Sequence, residues 1–272
     1  MKIRILSDLH VDVNQSHNED FFIDDDYDVV LIAGDIGAYY RKYDSLFHKS
    51  FPDKKVIFNL GNHIVYNQYG LTIRDIISEC KQLYHEQYYC LEDDYLKLDD
   101  NTYVIGMTLY TDYSYPANSN VDANMHLAEY YMNDFYYGKV LDNLKKRSIT
   151  AKDYIDIHQN SKQCIQVLYS KILLENPNAK IILMTHHCLH PNCIDDKYKG
   201  SILNSAYVTD LSEWIDTNFP QIRLIISGHV HDSKQFTFGK NNIKYILNPY
   251  GYVRCGETED FTPNLIIDTK DL

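Results

Sequence analysis

Five short apolar runs each end in a small polar residue or a side chain able to bind metal, and that recurrence constrains the fold more than any other feature. Lys2–Leu6 leads into Ser7-Asp8-Leu9-His10, Asp28–Ala33 into Gly34-Asp35, and Val56–Leu60 into Gly61-Asn62-His63. Ile181–Met184 leads into Thr185-His186-His187, and Leu224–Ile226 into Ser227-Gly228-His229-Val230-His231. Short β-branched runs with apolar residues in succession read as strands buried on both faces. Helical patterns lie between them. The clearest is Ala151–Glu175, with Ile157, Cys164, Ile165, Leu168 and Ile172 on one stripe. Thr150 and Asp153 form its capping box and Asn176-Pro177 its stop. Further helices are expected over Asp122–Tyr137 and Thr209–Asn218, and a strand over Tyr103–Leu109. Gln235–Phe238 and Ile243–Leu247 read as a hairpin around Gly239-Lys240-Asn241-Asn242.

Strands alternating with helices make the class α/β, and strands that follow one another directly call for a mixed sheet or two packed sheets. No repeat or composition break divides the chain, so residues 1–272 read as one domain. The polar, Tyr-rich stretch at about 111–149 reads as a cap-like elaboration over one end of the sheet. Within it, Tyr130, Tyr131, Tyr136 and Tyr137 share helical spacing with Met125, Met132 and Phe135, which favours core packing over a nucleobase-stacking lid.

Loops past the carboxyl ends of strands in an α/β sheet converge on one crevice. Asp8, His10, Asp35, Asn62, His63, His186, His229 and His231 therefore meet at one mouth. Carboxylate and imidazole together suit Mn, Fe, Zn, Ni or a related divalent ion. Eight candidate ligands are too many for one ion and natural for two, with a carboxylate such as Asp35 able to bridge. Two ions roughly 3.5–4 Å apart are the usual device for activating water against a phosphoryl group. An imidazole left free of metal can protonate the leaving oxygen; His63 is the candidate, because neighbouring Asn62 is the better ligand.

Charge narrows the partners. With 26 basic and 38 acidic residues the net charge is −12, which excludes a broad basic face for extended nucleic acid and favours a small phosphoester, such as a nucleotide. No apolar run approaches the roughly 18 residues of a membrane span, and no signal-peptide pattern opens the sequence. A cytoplasmic protein is expected, with free thiols at its six scattered cysteines. His187, Cys188, His190 and Cys193 have zinc-type side chains but match no standard spacing, and His187 is expected in a structural hydrogen bond. His17, His48, His85, His126 and His158 read as surface or helix residues.

Taken in order, Asp8-x-His10, Gly34-Asp35, Gly61-Asn62-His63, His186 and Gly228-His229-x-His231 resemble the calcineurin-like metallophosphoesterases, especially small bacterial- and phage-type members. The resemblance runs from Lys2 to about Val253 and includes Thr185-His186-His187, Asn204–Asp210 and Asn248-Pro249-Tyr250-Gly251-Tyr252. It implies a four-layer αββα sandwich of two mixed sheets flanked by helices. It implies that Asp8, His10, Asp35 and His231 bind one metal, and that Asp35, Asn62, His186 and His229 bind a second. It also implies that His63 is the general acid or phosphate contact, with hydrolysis of phosphomonoesters or phosphodiesters by a metal-bridging hydroxide. Three departures stand out. Ile64 occupies the place of a carboxylate that orients the histidine in the family, a role Asp112 or Asp134 would have to take over. Gly34-Asp35-Ile36-Gly37 lacks the Asp-Arg of protein phosphatases. Tyr250 replaces a frequent arginine, leaving Arg254 as a phosphate-contact candidate. The alternative is a non-catalytic, metal-stiffened scaffold that binds a partner protein.

Overall fold

A computed structural model of the protein describes residues 1–14, 26–66, 70–142 and 145–272. His17 lies outside them. In chain order, β1 (Lys2–Leu6), β2 (Val29–Ala33), α1 (Tyr43–Ser50), β3 (Lys55–Asn59), α2 (Ile73–Leu83) and β4 (Tyr88–Cys90) come first. They are followed by β5 (Asp94–Lys97), β6 (Thr102–Met107), α3 (Val121–Tyr131), α4 (Asp134–Tyr137), β7 (Lys139–Asp142) and β8 (Lys145–Ser148). The remainder is α5 (Ala151–Glu175), β9 (Lys180–Thr185), α6 (Ser212–Asn218), β10 (Ile222–Ser227), β11 (Lys234–Phe238), β12 (Ile243–Leu247) and β13 (Ile266–Asp268).

Two large mixed sheets result. The first has the order β13-β1-β2-β3-β4, parallel except for β13. The second has the order β11-β12-β10-β9-β6-β5, parallel except for its two edge strands. Ile3, Ile5 and Leu31 of the first sheet pack against Val104, Ile182 and Ile226 of the second. On the outer faces, Phe58 packs with Phe47 of α1 and Ile76 of α2, and Ile225 packs with Ile172 of α5 and Ile215 of α6. The central strands thus bury both faces, which is why their apolar residues run in succession; full burial of one such side chain contributes roughly 1.5–3 kcal/mol. The expected four layers are present.

The long helix α5 carries the reciprocal Thr150–Asp153 cap read from the sequence. Residues 209–211 stay outside α6, because the Thr209 N–H donates to the Cys188 carbonyl at 3.1 Å. The elaboration needs two corrections. Asp122–Tyr137 is not one helix: Met132 is extended, and the chain restarts at Asp134, whose side chain turns inward. The tyrosines expected in the core are exposed, Tyr130 by 81% and Tyr136 by 76%. Ala128 and Phe135 supply the face that is buried, too narrow to take the tyrosines with it. No described helix is long and apolar enough to cross a membrane.

Candidate metal centre

Asp8 and His10 follow β1, Asp35 follows β2, and Asn62 and His63 follow β3. His186 follows β9, and His229 and His231 follow β10, so the second sheet supplies the remaining imidazoles. All eight expected residues come together at the seam between the sheets. Asp8 (φ 53), His10 (φ 44), Asp35 (φ 51), His229 (φ 70) and His231 (φ 48) adopt the left-handed region. Such conformations cost on the order of 1–3 kcal/mol each and persist only where surroundings enforce them. Here the His229 N–H donates to both Asp8 carboxylate oxygens, at 3.0 and 3.1 Å, and the His63 N–H donates to Asp35 Oδ1 at 2.9 Å. Gly61 (φ 76) is required beside them, since a Cβ there would stand 2.1 Å from Asp35 Oδ1.

Three overlapping clusters of metal-type side chains result, Asp8–His10–His231, His10–Asp35–His63 and Asp35–His186–His229, with ligand atoms inside each within 4.8 Å. Asp35 joins two of them: its Oδ2 lies 3.3 Å from His186 Nε2, 3.7 Å from His63 Nε2 and 4.0 Å from His10 Nε2. Burial works against charge on Asp35, yet His186 and His63 hold its carboxyl well below the usual carboxylate range. Burial keeps His10 and His229 neutral, the form in which imidazole binds metal.

The donor set fits cations for a specific reason. His186 Nδ1 lies 2.9 Å from the Ala33 carbonyl, so it carries the proton and leaves a lone pair on Nε2. Asn62 Nδ2 donates to Asp134 at 3.0 Å, which turns the amide oxygen toward that same Nε2, 3.0 Å away. Two acceptors therefore face each other. His10 Nε2 lies 2.9 Å from His231 Nε2, and His10 Nδ1 and His229 Nε2 are buried with no hydrogen-bond partner. A proton relieves such a contact in part: against burial, Asp35 and Asp8 raise His186 to about 9, and Asp8 and Glu257 raise His231 to about 10. A divalent cation would give these lone pairs a common partner.

Two supporting residues come from outside the strands and their immediate ends. Glu257 accepts from His231 Nδ1 at 2.6 Å and so aims Nε2 at Asp8, 3.3 Å away; the sequence reading passed over it. Asp134, considered as a replacement for the carboxylate missing at Ile64, serves Asn62 instead. It is buried, accepts from Tyr154 at 3.2 Å and from Tyr66, and burial pushes its carboxyl up. Ile64 itself is core. The His63 ring is met by the Tyr252 hydroxyl, 3.0 Å from Nε2, and by the Tyr66 ring at 4.3 Å. Asp112 lies elsewhere, bound to Ser114 and Thr209 and 4.0 Å from the buried His158.

A cavity of about 420 Å³ opens above the cluster, lined by Asp35, Asn62, His63, His229 and His231. Arg254 is exposed on a short turn and is not among the lining residues. His187 is buried behind His229, its ring 4.1 Å away and its N–H donating to the Thr108 carbonyl at 3.1 Å. His190 and the two nearby cysteines join no metal-type cluster among the described residues.

Comparison with known proteins agrees with this geometry. No curated protein matches the sequence. Among solved structures, the phosphopantetheinyl hydrolase (PptH) of Mycobacterium tuberculosis shares the fold with a TM-score of 0.66; it is 16% identical, over 95% of this chain and 92% of that one. A family model described as calcineurin-like phosphoesterase matches residues 1–233, a span that holds every metal-type residue above. The chain belongs to the calcineurin-like phosphoesterases and is a metal-dependent hydrolase of phosphoric esters.

Proposed function

We propose that the chain hydrolyses small phosphomonoesters or phosphodiesters with two divalent cations, one held by Asp8, His10, Asp35 and His231, the other by Asp35, Asn62, His186 and His229. The observation that carries this reading is the convergence of Asp8, Asp35 and five imidazoles in overlapping clusters whose ligand atoms lie within 4.8 Å, beside the unpartnered His229 Nε2. When bound, the ions would neutralise phosphoryl charge and acidify coordinated water. The chain's own residues do the rest. Asp35 presents carboxylate to both sets. Asp134 fixes the Asn62 amide, and Glu257 fixes the His231 ring. His63, carrying no carboxylate partner at position 64, is placed by the Tyr252 hydroxyl at its ring and by its own backbone N–H donating to the Asp35 carboxylate, and donates a proton to the leaving oxygen.

The test is elemental analysis of protein purified without chelator, paired with assays on an aryl phosphate and an aryl phosphodiester after adding manganese. Near two ions per chain and turnover that vanishes in His186→Ala support the reading. Fewer than one ion and equal inertness of wild type and variant would sink it.

A further inference from the structure

The cavity has two walls, each carrying tyrosine and aliphatic side chains set among polar ones such as Asn133 and Ser201. Tyr131 and Met132, at the junction of α3 and α4, form one; Ile194, Tyr198, Leu203 and Tyr207, between β9 and α6, form the other. The Tyr207 ring stacks on the His229 ring at 4.6 Å, so aromatic surface begins directly beside the metal-type residues. Tyr131 and Tyr198 stand at the rim, 56% and 52% exposed.

The charge of the lining has one sign. Beyond the residues already assigned to metal, its ionised groups are Asp195 and Glu257. No lysine or arginine is among the described lining residues, and segments 15–25, 67–69 and 143–144 contain neither. Lys197 pairs with Asp195 at 2.9 Å from outside the lining. A polyphosphate or a phosphomonoester dianion would bring extra negative charge to a site whose lining, the imidazoles apart, offers no cationic side chain to receive it. An uncharged, apolar ester group gains from each wall.

Resting on the two-cation reading above, we infer that the substrate is a phosphodiester of single negative charge whose ester groups flank the phosphorus toward the two walls, at least one of them apolar or aromatic and seated against Tyr198 and Tyr207. Water adds to phosphorus as one ester P–O bond breaks. One proton passes to the departing oxygen, for which His63 is placed, and a phosphomonoester and an alcohol leave.

Steady-state kinetics on manganese-loaded protein test this with bis(4-nitrophenyl) phosphate, 4-nitrophenyl phosphate and ATP. The diester is expected to exceed both others in kcat/KM by about tenfold or more. Tyr131→Ala and Tyr198→Ala, at exposed positions that the fold does not need, should raise the diester KM about five- to tenfold and leave kcat within about twofold, the signature of lost uniform binding. Calorimetry with diphenyl phosphate on the His63→Ala protein should show the same weakening when either tyrosine is removed, independently of turnover. A preference for the monoester or ATP, or an unchanged diester KM and diphenyl phosphate affinity in both tyrosine variants, overturns the inference and leaves the hydrolase standing. No turnover of any ester by metal-loaded protein overturns the proposed function itself.

Discussion

The floor of the cavity is made of strand ends and its walls of the segments between strands, and the two differ in every physical respect. The floor is buried, rigidly hydrogen-bonded and charged: Asp8 and Asp35 lie at 0% and 1% exposure among imidazoles. The walls are largely half-exposed and rich in tyrosine, with Asp195 as a carboxylate among them, and they come from the ends and turns between strands. A floor residue is fixed by several partners at once, so its loss propagates. A wall residue has few partners, so its loss is local. Chemistry that demands sub-ångström placement sits on the first kind of support, and recognition that tolerates adjustment sits on the second.

That contrast can be broken by experiment. Asp35→Asn should have the largest effect, lowering kcat by about a thousandfold or more, because Asp35 serves both ligand sets as part of one unit; bound metal measured on the same sample should fall with it. Asp134→Ala comes next. It leaves Tyr66, Tyr154 and the Asn62 amide without their acceptor, and should cost about 2–4 kcal/mol in denaturant unfolding of the metal-free protein. It should also weaken metal binding by about 10–100-fold in calorimetry. If Asp134 belonged in kind to the walls, neither number would move.

Proton release sharpens the comparison further. In the metal-free protein His186 at about 9 and His231 at about 10 are protonated at pH 7, and metal binds only their neutral forms. Metal loading at pH 7 should therefore release close to two protons, read from calorimetric enthalpies in buffers of different ionisation heat. Apparent affinity should climb as pH rises and level off once both rings are neutral. The smallest effect is expected at the surface: Tyr136→Ser should change stability by no more than about 0.5 kcal/mol, measured by thermal denaturation. A larger loss would mean that the exposed tyrosines are part of the support after all.

The floor was legible in the sequence because each of its residues follows an apolar run, and runs buried on both faces announce themselves. Its left-handed backbone was not, since no residue pattern marks φ at Asp8 or His231. Glu257 escaped because it comes from irregular chain after β12, where no periodicity points inward. Asp134 was noticed for its charge and given the wrong client, since only the break after Tyr131 decides which neighbour it reaches. The tyrosine stripe misled for a related reason: helical spacing tells which residues share a face, not whether anything covers it. The Thr72–Asp75 capping box that begins α2 was present to be read. The three-residue strands β4 and β13 were too short to carry a period.

The placement of ligands on both sheets also sets the order in which the protein matures. His10 and His231 face each other across 221 residues of chain. At a synthesis rate of roughly 5–20 residues per second, the first sheet's carboxylates wait about 11–44 s for the imidazoles that complete their set. A cation arriving in that interval would meet only the side chains that follow the first sheet. A site that draws its side chains from both sheets can therefore be completed only after β10 has packed beside β9.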